Sequence, residues 1–271
     1  MSAEGELEAK AATIVEAMRS RGGVLVAYSG GVDSGLVCKL AVEALGPRAV
    51  AVTAVSESLP GRELKAARRF AREVGIRHRT VSYSELANRE YARNPKERCY
   101  FCRKDLAKAL KPIALEEGMS TIADGVLSSD LGEWRPGIKA MNEEGFWHPL
   151  LEHDIDKVRA RRMARWLGLS FHDKPSMACL SSRIPYGEVI TVEKLRRIEE
   201  AEDILHSLGL RQFRVRHHGS VARIEVPKEE VPRLLQEDVR EEVSRRMKAL
   251  GFEYVTLDLE GYRTGSMDAG L

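Results

Sequence analysis

Six consecutive residues, Ser29-Gly30-Gly31-Val32-Asp33-Ser34, follow the apolar run Val24-Leu25-Val26-Ala27-Tyr28 and precede an amphipathic stretch. Small residues in succession let backbone N–H groups close around an oxyanion, and a helix start there adds a favourable macrodipole. Ser29 and Ser34 contribute hydroxyl donors, and Asp33 offers a carboxylate for a magnesium ion that masks phosphate charge. The Gly-Lys-Ser/Thr ending of the common phosphate loop is missing, as are the three spaced glycines of a dinucleotide loop. A glycine turn joining strand to helix is the plain alternative.

Thiols form the second set. Cys99-Tyr100-Phe101-Cys102 is a Cys-x-x-Cys, and Cys179 lies within Pro175-Ser176-Met177-Ala178-Cys179-Leu180-Ser181-Ser182-Arg183. A structural disulfide is not expected in a reducing compartment. Structural zinc takes four protein ligands, and neither a second Cys-x-x-Cys nor a neighbouring His-x-x-x-His is present. Three thiolates suit a [4Fe–4S] cluster with one open iron, which would be free to carry a labile sulfide. Three separate buried thiols remain the alternative. Cys38, among Leu36, Val37 and Leu40, reads as core.

The third set is basic. With Gly219-Ser220 as a two-residue turn, the hairpin register places Arg216 opposite Arg223 and Arg214 opposite Glu225. Phe213, Val215, Ala222, Ile224 and Val226 then share the other, apolar face. Like charges directly opposite are unfavourable in a sheet. The arginine face is therefore a candidate anion clamp, partly balanced by Glu225, with an ordinary solvated face as the competing reading. Glu202 similarly interrupts an apolar helical stripe containing Ile198 and Leu205.

Alternating strand and helix patterns must position these groups. Helices are expected at 7–20, 34–45, 61–74, 104–117 and 154–167, the last with Asp154 as N-cap, and strands at 24–28, 49–55, 78–81 and 121–126. This alternation predicts an α/β fold with a parallel sheet covered on both faces and a ligand beyond the strands' carboxyl ends. The texture changes near 175–187. A long helix capped by Thr191 and ending before Gly209 follows, then strands at 212–218, 221–226 and 253–259 around further helices. The expected division is 1–180 and 181–271.

Lys and Arg total 43 against 41 Asp and Glu, so a net charge of +2 argues against bulk attraction to nucleic acid. Apolar stretches fall short of the roughly 18 residues that span a membrane. The acidic start, Met1 to Lys10, lacks a secretory pattern, which together with the cysteine usage predicts a cytoplasmic protein.

The loop Ser29–Ser34 resembles the PP-loop of ATP pyrophosphatases, which cleave ATP between the α and β phosphates. From about Val24 onward the chain resembles the LarE family, ATP-dependent sulfur transferases of nickel-pincer cofactor synthesis. Their substrate is pyridinium-3,5-biscarboxylic acid mononucleotide. The resemblance is carried by that loop, by Ala123-Asp124-Gly125 through Asp130 to Arg135-Pro136-Gly137, by Ala178–Gly187, and by Glu260-Gly261-Tyr262-Arg263-Thr264-Gly265-Ser266-Met267. It implies a parallel-sheet PP-loop (adenine nucleotide α hydrolase-like) domain followed by a smaller α+β domain. It further implies ATP at Ala27, Ser29, Gly30, Gly31, Val32, Asp33, Ser34 and Gly125, with magnesium at Asp33 assisted by Asp130 and Glu133. Cys179 matches the family's sacrificial cysteine, whose thiolate attacks an acyl adenylate and whose Cβ–S bond then breaks to leave dehydroalanine. Cys99 and Cys102 match a three-cysteine branch in which Cys99, Cys102 and Cys179 hold a [4Fe–4S] cluster, and cluster-based transfer is the favoured expectation. Arg183, Glu202, Arg214, Arg216 and Glu225 are implied near the substrate, with Arg214 and Arg216 gripping its phosphate. A homo-oligomer, with a hexamer among the candidate states, is implied too, assembled through the C-terminal region. The sulfide donor stays open. Competing readings are a cluster-bearing tRNA thiolase, which predicts a basic face, and an ammonia-using PP-loop ligase, which leaves three cysteines unused. A nucleotide- or metal-binding protein without turnover is the non-enzymatic reading.

Overall fold

The computed structural model describes residues 3–132, 135–263 and 265–267. Glu133 and Thr264 lie outside the described residues. The chain divides into two compact units, Met1–Glu85 with Glu97–Ser176, and Leu86–Lys96 with Met177–Leu271.

The first unit begins with helix α1 (Ala3–Arg19), strand β1 (Val24–Ala27), helix α2 (Val32–Leu45), strand β2 (Ala49–Val55), helix α3 (Gly61–Val74) and strand β3 (Arg77–Ser82). The short helix α4 (Arg89–Ala92) belongs to the second unit. The first unit resumes with α5 (Arg98–Glu116), β4 (Thr121–Ala123), α6 (Pro136–Glu143), α7 (Pro149–Glu152) and α8 (Lys157–Trp166). The sheet is wholly parallel, in the order β3-β2-β1-β4. Val24, Val26, Ala49 and Ala51 pack on one face with α1, α2 and α8, while Leu25, Val50 and Val52 pack on the other with α5. A strand buried on both faces must be apolar throughout, and β1 and the start of β2 are.

The chain progresses from β1 outward to β3 and then returns to place β4 on the other side of β1. Loops at such a reversal diverge to opposite faces and leave a crevice at the strands' carboxyl ends. The loop after β1 is Ser29–Ser34, and the loop after β4 contains Gly125.

The second unit holds α9 (Val192–Ser207), the hairpin β5 (Arg214–His218) and β6 (Val221–Glu225), α10 (Val231–Leu234), α11 (Glu237–Ala249) and β7 (Tyr254–Leu257). Pairing is antiparallel between β5 and β6 and parallel between β6 and β7. Its core joins Leu205 of α9 to Val215, Ile224, Met247 and Phe252.

Several boundaries differ from the sequence expectation for local reasons. Helix α8 starts at Lys157, capped by Asp156, whose carboxylate accepts from Arg159 N at 2.7 Å. Asp154 has a positive φ of 51° and so stands in the preceding turn, outside the helix. Strand β4 stops at Ala123 because Asp124 folds back and its carboxylate accepts from Val126 N at 3.1 Å. Helix α5 starts at Arg98, which puts Cys99 and Cys102 inside its first turns rather than ahead of it. Leu86–Lys96 is assigned to the second unit by burial of Tyr91 and Asn94 there. Asn94 donates from its amide to the carbonyls of Ile184 and Pro185, and the Tyr91 and Ser181 hydroxyls are 2.6 Å apart.

Candidate active site

In the first unit, α2 starts directly after the glycine pair. Gly31 is its N-cap, and no side chain caps the helix start. The first-turn N–H groups therefore have no intrahelical acceptor and point toward any anion placed ahead of α2. Gly30 adopts φ +77°, and a Cβ there would lie 2.8 Å from Ala67 Cβ of α3. The loop thus needs glycine twice over, for its backbone sign and for its closeness to α3. The Ser29 and Ser34 hydroxyls lie 3.1 Å apart, and Ser29 Oγ accepts from Gly31 N at 3.3 Å, so both hydroxyls line the loop. On the β4 side, a Cβ on Gly125 would lie 2.6 Å from Ser34 N and 2.8 Å from the carbonyl carbon of Asp33. The two loops of the strand reversal therefore meet backbone to backbone, and Ala27, at the carboxyl end of β1, leads into the junction.

Two lysines serve this loop that sequence reasoning did not single out. Lys157 Nζ donates to Asp33 Oδ2 at 2.7 Å, and Lys174 Nζ donates to the Gly30 carbonyl at 2.8 Å and to Glu63 at 2.7 Å. Both are distant in sequence from a loop that itself carries no lysine. The other Asp33 oxygen, Oδ1, is buried without a hydrogen-bond partner. A buried carboxylate oxygen left unsatisfied is costly, and a hard cation would satisfy it, so Asp33 fits magnesium. Asp130 instead accepts from Leu127 N at 2.9 Å and pairs with Arg135 at 3.1 Å. Among the described residues no three His, Cys, Asp or Glu side chains converge into a metal-binding group.

Cys99 is exposed and Cys102 half-buried, one helical turn apart on α5. Cys102 Sγ donates to Glu85 Oε1 at 3.0 Å, and Glu85, itself buried, also accepts from the hydroxyls of Ser56 and Ser58. The charge of Arg103 acts on both thiols. Glu85 was not legible as a thiol partner, although its place just past the carboxyl end of β3 is where ligands gather.

In the second unit, Cys179 is half-buried and its carbonyl is held by Ser182 N at 3.1 Å and Arg183 Nη1 at 3.0 Å. Arg183 is fully buried and makes a forked pair with Glu202 at 2.8 and 3.2 Å. Its guanidinium is thus committed to Glu202 and to the backbone around Cys179, and it fixes that thiol's loop. Glu202 also accepts from Val215 N at 3.3 Å, which explains a carboxylate on an apolar stripe.

The hairpin has the register derived above, Arg214 opposite Glu225 and Arg216 opposite Arg223. Its basic face is not solvated. Arg214 and Arg216 are buried, and Glu225 is fully so. Glu225 pairs with Arg216 at 2.7 Å and with Arg223 at 3.3 Å, and Arg223 also pairs with Asp258 at 3.2 Å. Burial, followed by the charge of Arg183, pulls the Arg214 pKa down to about 10 despite Glu202 and Tyr262. Nε of Arg216 and of Arg223 has no hydrogen-bond partner. Desolvated guanidinium groups with unused donors call for an anion.

The asparagine synthase family model matches residues 8–94, the stretch that carries the PP-loop. Over 263 residues the chain is 37% identical to the pyridinium-3,5-bisthiocarboxylic acid mononucleotide synthase of Lactiplantibacillus plantarum, covering 97% of this chain and 95% of that one. The chain belongs to the LarE family. It is an enzyme that adenylates and transfers sulfur, and its first unit is a PP-loop domain. The chain is also similar to an uncharacterized protein of Synechocystis sp., 48% identical over 90% of this chain and 91% of the relative. Another uncharacterized protein, from Methanocaldococcus jannaschii, is 28% identical over 89% and 91%. No described helix is long and apolar enough to cross a membrane.

Proposed function

We propose that this LarE-family chain adenylates a carboxylate of pyridinium-3,5-biscarboxylic acid mononucleotide and converts it to a thiocarboxylate. The buried Arg214 and Arg216 carry this reading, since a phosphorylated small molecule is what two desolvated guanidinium groups suit. ATP binds at Ser29–Ser34, its phosphates met by the open N–H groups of α2 and by the loop hydroxyls. Asp33 would hold magnesium through its unpaired Oδ1, with Lys157 compensating charge at the same carboxylate. A substrate carboxylate oxygen attacks the α phosphorus, the bond to the bridging oxygen breaks, and pyrophosphate leaves. The acyl adenylate then exchanges AMP for sulfur.

Cys99, Cys102 and Cys179 would hold a [4Fe–4S] cluster, whose chemistry would supply the transferred sulfide. The donor chemistry supports this, with two thiols on one helical turn under the charge of Arg103 and a third on a loop pinned by Arg183. Four free cysteines suit a reducing, cytoplasmic setting. A homo-oligomer is proposed as well, supported by β7 at the sheet edge with Tyr254 and Leu259 exposed.

Anaerobic reconstitution followed by single- and multiple-turnover product assays tests the proposal. Expected are substrate-dependent AMP and pyrophosphate, a visible and EPR signature lost in Cys99→Ser, and more than one sulfur transferred per chain. Loss of H2S mass from Cys179 with at most one sulfur per chain would overturn the cluster route in favour of sacrifice.

A further inference from the structure

The C-terminal motif Glu260–Met267 carries part of the family resemblance, yet no role above uses it. Its described residues touch each arginine of the hairpin face in turn. The Tyr262 ring lies 5.1 Å from the Arg214 guanidinium, Ser266 Oγ accepts from Arg216 Nη2 at 2.9 Å, and Met267 Sδ lies 3.4 Å from Arg223 Nη2. The segment is anchored where it arrives. Tyr262 N donates to the Val226 carbonyl at 2.8 Å, and Gly261, at φ +73°, passes so close that a Cβ would lie 2.9 Å from that same oxygen.

Ser266 has a particular place in this arrangement. It is buried, and its hydroxyl donates to Glu225 Oε1 at 2.7 Å while accepting from Arg216. It therefore stands as a neutral oxygen between a guanidinium and a carboxylate, beside two Nε donors that have no acceptor. A hydroxyl can rotate its proton from Glu225 to an arriving phosphate oxygen, whereas Glu225 can only repel that oxygen.

We propose that residues 261–263 and 265–267 form the closing wall of the phosphate subsite, and that Ser266 is a substrate-binding residue. It occupies the place of a phosphate oxygen in the free enzyme and donates to the phosphate in the complex. Tyr262 backs the Arg214 guanidinium with its ring. The proposal rests on the reading that Arg214 and Arg216 grip a substrate phosphate.

Titration calorimetry of the full chain with the mononucleotide and with its dephosphorylated nucleoside separates the two. The wild type is expected to bind the mononucleotide much more tightly. Ser266→Ala should weaken mononucleotide binding about 10-fold or more, the worth of one charge-assisted hydrogen bond, and leave nucleoside binding and ATP affinity unchanged. Ser266→Thr, which keeps the hydroxyl, should restore most of the loss. Equal weakening for both ligands, or none for either, in a wild type that discriminates would overturn the role of Ser266 alone. A wild type that does not discriminate, or binds neither, would overturn the phosphate reading and this inference together. Thermal unfolding of Ser266→Ala at the wild-type midpoint keeps a binding loss from being a folding loss.

Discussion

At the scale of single residues, the second unit combines fixed charges with unsatisfied ones. Arg183 and Glu202 are both fully buried and paired, and each also holds backbone, so neither charge can be removed alone without stranding the other. Glu202→Ala is expected to cost about 3–5 kcal/mol, the penalty for an uncompensated buried charge, measured as a lower urea midpoint. The loss should be accompanied by altered alkylation at Cys179, because the Arg183 fork pins the carbonyls of Ala178 and Cys179. Arg214 and Arg216 are different in kind. Burial pulls the Arg214 pKa down to about 10, and Arg216 keeps a buried Nε without an acceptor, as suits a pair that meets a ligand anion.

At the scale of elements, the strand reversal between β1 and β4 decides where chemistry can happen, and Gly125 is its tightest point. Gly125→Ala should drive a methyl group against Ser34 N and open the loop. Nucleotide affinity is expected to fall at least about 10-fold, with the secondary structure retained; unchanged ATP binding by calorimetry would contradict this account. This element was half legible in the sequence. The loop, the helix after it and the hairpin register follow from glycines, apolar periodicity and a two-residue turn, all local signals. Lys157, Lys174 and Glu85 were not legible, because each reaches its partner across many residues, and an isolated Lys or Glu on a mixed-charge chain looks like surface. The early start of α5 was missed for another reason. Cys, Tyr and Phe are indifferent helix formers, and the first turns are secured by packing of Leu106 and Leu110 further along.

At the scale of the whole molecule, acid should act on the buried histidines. The His217 pKa is lowered by burial first and then by Lys194 and Arg197, with Glu188 opposing. Both ring nitrogens lack partners, and the ring sits 5.5 Å from Phe252. His78 and His218 are lowered in the same direction, also chiefly by burial. The unfolded chain therefore takes up protons first. Stability from these groups is complete above about pH 6.5, the unfolded value, and is lost as the pH falls through the lower folded values. Melting temperature is expected to drop between pH 7 and pH 5, and His217→Phe should flatten part of that slope. A melting temperature that rises over the same interval would refute the assignment.

One short segment has a practical consequence for anyone dissecting the enzyme. Tyr91 and Asn94 sit about ninety positions before the loop they complete, and they supply partners to Ser181, Ile184 and Pro185. A polypeptide beginning at Met177 would lack those partners and expose the groups they cover, so clean excision of the second unit at that point would yield an incomplete body. Supplying Leu86–Lys96 in trans, as a synthetic peptide, is the natural complement for such a fragment. The second unit is thus drawn from two separate stretches of chain, which no single cut can release whole.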